Sequence, residues 1–120
     1  MSSPKSKEDT AARLASQAKM GFYKTPEHLL PVIASYLHPE HPNRTVLLDP
    51  CCGEGKAASI IGKELEIPAD KVFGNELDED RFRQARDLLG RKQVTYGDAI
   101  YEFTGPMGRV SILFENPPYD

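Results

Sequence analysis

The sequence predicts an α/β fold built on a parallel sheet of four strands with helices on both faces. Three observations carry this. Short apolar runs occur at residues 45–49, 71–76, 93–96 and 110–114. The first two each close on an acid, Asp49 and Glu76, the pattern of buried parallel strands whose carboxyl ends face a site. Between the first three runs lie stretches with apolar residues at helical spacing. Alternating strand and helix requires crossover connections and hence parallel pairing.

Residues 1–20 read as an N-terminal tail and a short helix, the latter on the thin apolar stripe Ala11, Leu14, Ala15 and Ala18. Gly21 breaks it, and residues 21–120 form the domain. Thr25-Pro26 reads as a helix start, with Thr25 as N-cap and Pro26 at the first helical position. Leu29, Leu30, Ile33, Tyr36 and Leu37 supply the buried face of this helix. Pro31 removes one backbone bond and should kink its first turns. Pro39 and Pro42 end it. A helix over 56–66 buries Ile60, Ile61 and Leu65 and is stopped by Pro68. Asp78 caps a further helix bearing Phe82, Ala85 and Leu89, which Gly90 terminates.

The chain has 120 residues, 39% hydrophobic and 28% charged, which excludes a mostly disordered protein. No apolar stretch approaches the length of a membrane span, and nothing behind Met1 reads as a secretory signal. A net charge of −3 argues against a protein that grips nucleic acid chiefly by coating its phosphates. Cys51 and Cys52 are adjacent and have no third partner, so neither a disulfide framework nor a cysteine metal site is expected. That usage points to the reducing cytoplasm. His28, His38 and His41 lack ligand spacing, and no metal is expected.

Four places carry chemistry. Asp49-Pro50-Cys51-Cys52-Gly53-Glu54-Gly55 joins the first strand to a helix. Gly53 and Gly55 permit a tight turn and close backbone approach to a ligand. Taken alone this turn is shared by many nucleotide binders, and the absence of Gly-Lys-Ser/Thr excludes an NTP-binding P-loop. Glu76 ends the second strand, where an acid can accept from both hydroxyls of a ribose; by itself it also fits a solvated acid at a helix start. Asp98 follows the third strand, where it is either a contact for an adenine amino group or a turn residue. Asn116-Pro117-Pro118-Tyr119 follows the fourth strand. Its prolines terminate pairing, the Asn116 side chain and Pro117 carbonyl become fixed acceptors, and Tyr119 offers a face for a planar target. Such a set suits an exocyclic or amide NH2 group, which needs two acceptors and a flat neighbour.

With these motifs the chain resembles the class I S-adenosylmethionine-dependent methyltransferases, a Rossmann-like fold, and within them the amino-methylating, N6-adenine branch. The resemblance runs from about Gly21 to Asp120. Phe22-Tyr23-Lys24-Thr25-Pro26 is similar to the motif that contacts the methionine part of S-adenosyl-L-methionine. Asp49, Pro50, Cys51, Gly53 and Gly55 match the glycine-rich motif, Glu76 with Leu77 the ribose-binding acid, and Asp98 with Ala99 the contact near the cofactor's adenine. Asn116, Pro117, Pro118 and Tyr119 match the catalytic tetrad. The chain is also similar to a little-characterised methyltransferase-like family of phages and mobile elements. Many relatives carry Ser or Thr where Glu54 and Lys56 stand, which alters the charge beside the methionine carboxylate.

The resemblance implies methyl transfer to an exocyclic amino group, with N6 of adenine in DNA favoured over RNA as the target. Protein glutamine, a guanine amino group, or a cofactor-binding half without catalysis are the alternatives. The expected sheet order, 3-2-1-4, leaves the fourth strand at an edge. That apolar edge implies a partner strand, from another chain or from a further C-terminal region.

Overall fold

A computed structural model of the chain describes residues 24–98 and 109–116. The expected N-terminal helix therefore lies outside the described residues, as do Phe22, Tyr23, Ala99, Pro117, Pro118 and Tyr119. Four parallel strands are present: β1 (Leu47–Asp49), β2 (Val72–Glu76), β3 (Val94–Tyr96) and β4 (Ile112–Leu113), in the order β3-β2-β1-β4. Fold class and strand order are those the sequence predicts. Leu47 sits beside Val72 on one side and Ile112 on the other, and Gly74 sits beside Val94.

The strands are shorter than their apolar runs, for identifiable reasons. Thr45 is taken by the preceding 3-10 turn, its amide donating to the Pro42 carbonyl and its hydroxyl to the His41 carbonyl. The Val46 amide donates to the Ser111 hydroxyl instead of to a neighbouring strand.

Three α-helices follow the same logic: α1 (Leu30–Ser35), α2 (Lys56–Glu64) and α3 (Glu79–Leu89). The start of α1 corrects the expected N-cap. Pro26 stays extended at φ −55°, ψ 131°, a 3-10 turn occupies Glu27–Leu29, and Thr25 caps nothing. Pro31 does not kink α1, because it falls in its first turn, where a missing N–H breaks no helical bond. Asp78 does cap α3, its carboxylate accepting from the Arg81 amide at 3.0 Å. The end of α2 closes in a Schellman motif: the Ile67 amide donates to the Gly62 carbonyl and the Glu66 amide to that of Lys63. Glu66 accordingly takes φ 59°, a value that favours glycine. Burial of Leu65 and Ile67 on either side holds it there.

The three helices pack on the one sheet face that presents Leu47, Val72 and Val94, so among the described residues helices cover a single face and not both as the sequence reading expects. Leu30, Ala34, Ala58 and Ile61 close over Leu47 and Val72, while Ala85 packs with Val94 and Cys52. The approach is tight: a Cβ on Gly62 would come within 2.8 Å of Val72 Cγ2. The crossover from β3 to β4 lies outside the described residues. Among the described residues, no helix is long and apolar enough to cross a membrane.

Candidate functional site

The order β3-β2-β1-β4 makes crossovers leave β1 in opposite directions, so a crevice opens at the carboxyl ends of β1 and β4. Thr25, Asp49, Cys51, Glu54, Lys56 and Asn116 are among the residues that line it. The residues come from three separate parts of the sequence. Thr25 and Asn116, 91 positions apart, meet directly: Asn116 Nδ2 donates to Thr25 Oγ1 at 3.2 Å.

The glycine-rich turn is held from behind. The Gly53 amide donates to Glu76 Oε1 at 3.0 Å, and the Asp78 amide donates to Glu76 Oε2 at 2.7 Å. Arg81 stands 3.6 Å from Oε2. Glu76 is 5% exposed, so it is not the solvated acid its position also allowed. A carboxylate has four acceptor sites, and the two amides leave one on each oxygen. Leu77 is exposed and Asp98 half-buried. Pro50 contributes its carbonyl to Asn75.

The two glycines differ in role. Gly53 turns the chain at φ 59° and points its amide at Glu76. Gly55, at φ 87°, faces α3: a Cβ there would lie 3.3 Å from Ala85 and Leu89. Its smallness lets α2 approach α3.

Sequence reasoning passed over Asn75. It is 1% exposed. Its Nδ2 donates to the carbonyls of Pro50 and Gly97, at 3.3 and 3.0 Å, and its Oδ1 accepts from Thr95 Oγ1 at 2.8 Å. One side chain thereby ties the turn after β1 to the end of β3. A polar residue inside a buried strand was the available signal.

Acidic groups converge on the turn. Burial pushes the Cys51 thiol up to about 11, reinforced by the charges of Asp49, Glu76, Glu115 and Asp98. Burial likewise pushes the Cys52 thiol well above its ordinary value. Both are therefore protonated at neutral pH and poorly suited to nucleophilic catalysis. Asp49 is 2% exposed. Burial raises its carboxyl to about 7, helped by Glu76 and Glu115 and opposed by a hydrogen bond from the Cys51 amide. The atypical Glu54 is balanced by Lys24, whose Nζ lies 3.1 Å from Oε2, and Lys56 stands 4.0 Å from Glu27. Among the described residues, no group of three or more His, Cys, Asp or Glu side chains could hold a metal ion.

Residues 4–120 match the family described as "Uncharacterised methyltransferase family (DUF6094)". The chain belongs to this methyltransferase family. No curated protein sequence matches it. Among solved structures it is similar to the type I restriction-modification system methyltransferase subunit from Streptococcus thermophilus, with a TM-score of 0.63 and 21% identity. The match covers 81% of this chain and 23% of that protein. At that identity the likeness is one of fold.

The donor set of this DUF6094 crevice has a definite chemistry. Asp49 lines the crevice, and the carboxyl groups of Asp49, Glu76, Asp98 and Glu115 all act on the Cys51 thiol beside it. That arrangement suits a ligand bearing positive charge and hydroxyl donors, as S-adenosyl-L-methionine does.

Proposed function

We propose that this chain is the cofactor-binding and catalytic part of an S-adenosylmethionine-dependent methyltransferase that acts on the N6 amino group of adenine in DNA. The observation supporting this is that Asn116, first residue of the Asn-Pro-Pro-Tyr motif, lines the same crevice as Asp49 and Cys51. The likeness of fold to a restriction-modification methyltransferase subunit supports DNA as the substrate. S-adenosyl-L-methionine, when bound, supplies a methyl group on a positively charged sulfur.

The chain's residues make the amine a better nucleophile. The amino nitrogen of adenine shares its lone pair with the ring. Hydrogen bonds from its two N–H groups to Asn116 Oδ1 and the Pro117 carbonyl concentrate that pair on nitrogen. A carbon–nitrogen bond forms as the carbon–sulfur bond breaks, and its electron pair stays on sulfur. The two fixed acceptors stabilise the positive charge that grows on nitrogen, which then loses a proton. Alignment within the crevice supplies much of the remaining rate. Tyr119 stacks on the base, which must be flipped out of a duplex to reach it. No covalent enzyme intermediate is required, in keeping with two protonated thiols.

The test is mass spectrometry of nucleosides and peptides after incubation with isotopically labelled S-adenosylmethionine and DNA, RNA or protein. Label in N6-methyldeoxyadenosine is expected. Label in guanine or glutamine, or binding without any transfer, overturns the reading. Asn116→Ala should abolish transfer while leaving affinity for S-adenosylhomocysteine nearly intact, because its interaction strengthens only in the transition state.

A further inference from the structure

We infer that Thr25 is a positioning residue for methyl transfer: by accepting the Nδ2–H of Asn116, its hydroxyl anchors that amide with its oxygen turned toward the target amine. The inference rests on the reaction proposed above. An asparagine amide has a donor end and an acceptor end of nearly equal shape, exchanged by a half-turn about χ2. Only the acceptor end helps an amino group, because the donor end would oppose N–H to N–H. Asn116 Nδ2 is 3.2 Å from Thr25 Oγ1, and a planar amide holding its nitrogen there turns Oδ1 the other way.

Both partners are anchored. Thr25 precedes Pro26, whose ring sets φ at −55° and restricts the residue before it to extended backbone. The carbonyl of Pro26 closes the following turn by accepting from the Leu29 amide at 3.0 Å. On the other side of Thr25, Lys24 pairs with Glu54 of the glycine-rich turn. Asn116 leaves β4 two residues after Phe114, whose amide donates to the Leu48 carbonyl at 3.0 Å. The β-branch of threonine narrows the hydroxyl's directions further. Its role is thus distinct from the direct cofactor contact that the sequence motif implies.

Thr25→Val keeps the shape and removes the hydroxyl; Thr25→Ser keeps the hydroxyl. Valine is expected to lower kcat on DNA by about 10- to 100-fold, with the dissociation constant for S-adenosylhomocysteine within about twofold of wild type. Serine should recover most of the loss. The chain has only three asparagines, Asn43, Asn75 and Asn116. The Asn116 side-chain NH2 signals in a 15N-correlated NMR spectrum can therefore be assigned and should move in the valine variant but hold in the serine one. Unchanged kcat with weakened cofactor binding, or unmoved Asn116 signals in a folded valine variant, overturns the inference. If those signals move as expected but wild-type protein methylates no adenine, the proposed reaction is what has failed, and the catalytic role of Thr25 falls with it.

Discussion

Gly53 and Glu76 form one unit: the amide of the first donates to Oε1 of the second at 3.0 Å, joining the turn after β1 to the last residue of β2. The acid proposed to hold the cofactor's ribose is thus also a structural tie. Glu76→Ala should weaken S-adenosylhomocysteine binding by roughly 10- to 100-fold, since losing hydrogen bonds to a charged group costs about 1.5–3 kcal/mol. It should also lower the melting temperature, because the Gly53 and Asp78 amides lose their acceptor and Arg81 loses a partner. Calorimetry and thermal melts read the two effects separately. Wild-type affinity in the variant would exclude Glu76 from the cofactor site.

Asp49 sets a pH dependence. Its folded-state pKa, about 7, lies above the ordinary carboxylate value of 3.8. Between those values the folded state holds more protons than the unfolded one, so its contribution to stability falls as pH rises. The slope approaches about 1.4 kcal/mol per pH unit and levels off above pH 7. Asp49→Asn should flatten that slope in denaturant titrations from pH 4 to 8. A positive ligand placed beside Asp49 should draw the proton off. S-adenosylmethionine binding is therefore expected to tighten from pH 6 to 8 with proton release, more than binding of the neutral-sulfur product. Calorimetry in buffers of different ionisation enthalpy counts the protons.

Glu66 holds a left-handed conformation at the end of α2. Glycine takes that conformation without a Cβ penalty, so Glu66→Gly should stabilise the chain by about 1 kcal/mol. Chemical denaturation should show the midpoint shifted upward with an unchanged slope.

At the other end of the sheet, β4 pairs with β1 alone among the described residues, and Leu113 is 57% exposed. An apolar edge of this kind templates pairing with another strand. The isolated chain should self-associate at high concentration, and Leu113→Lys should shift it toward monomer in light scattering. A monodisperse wild-type chain would show that the edge is protected.

The sequence alone determined the alternation of strands and helices and the positions of its chemical motifs, and the resemblance those motifs carry supplied the order of the sheet. Apolar periodicity, the acids that close β1 and β2, and the Asn-Pro-Pro-Tyr run are local properties that can be read along the chain. The Asp78 cap was legible for the same reason, since a cap involves residues three apart. Contacts between distant segments were not legible. Nothing local distinguishes Gly53, which turns toward Glu76, from Gly55, which makes room for Ala85 and Leu89. Thr25 looked like a helix cap until the fold brought Asn116 to its hydroxyl and left Pro26 extended. The elevated pKa of Asp49 and the ties made by Asn75 likewise arise only in the folded sheet. Burial removes water there, and strand ends far apart in sequence bring their charges and hydrogen-bonding groups together.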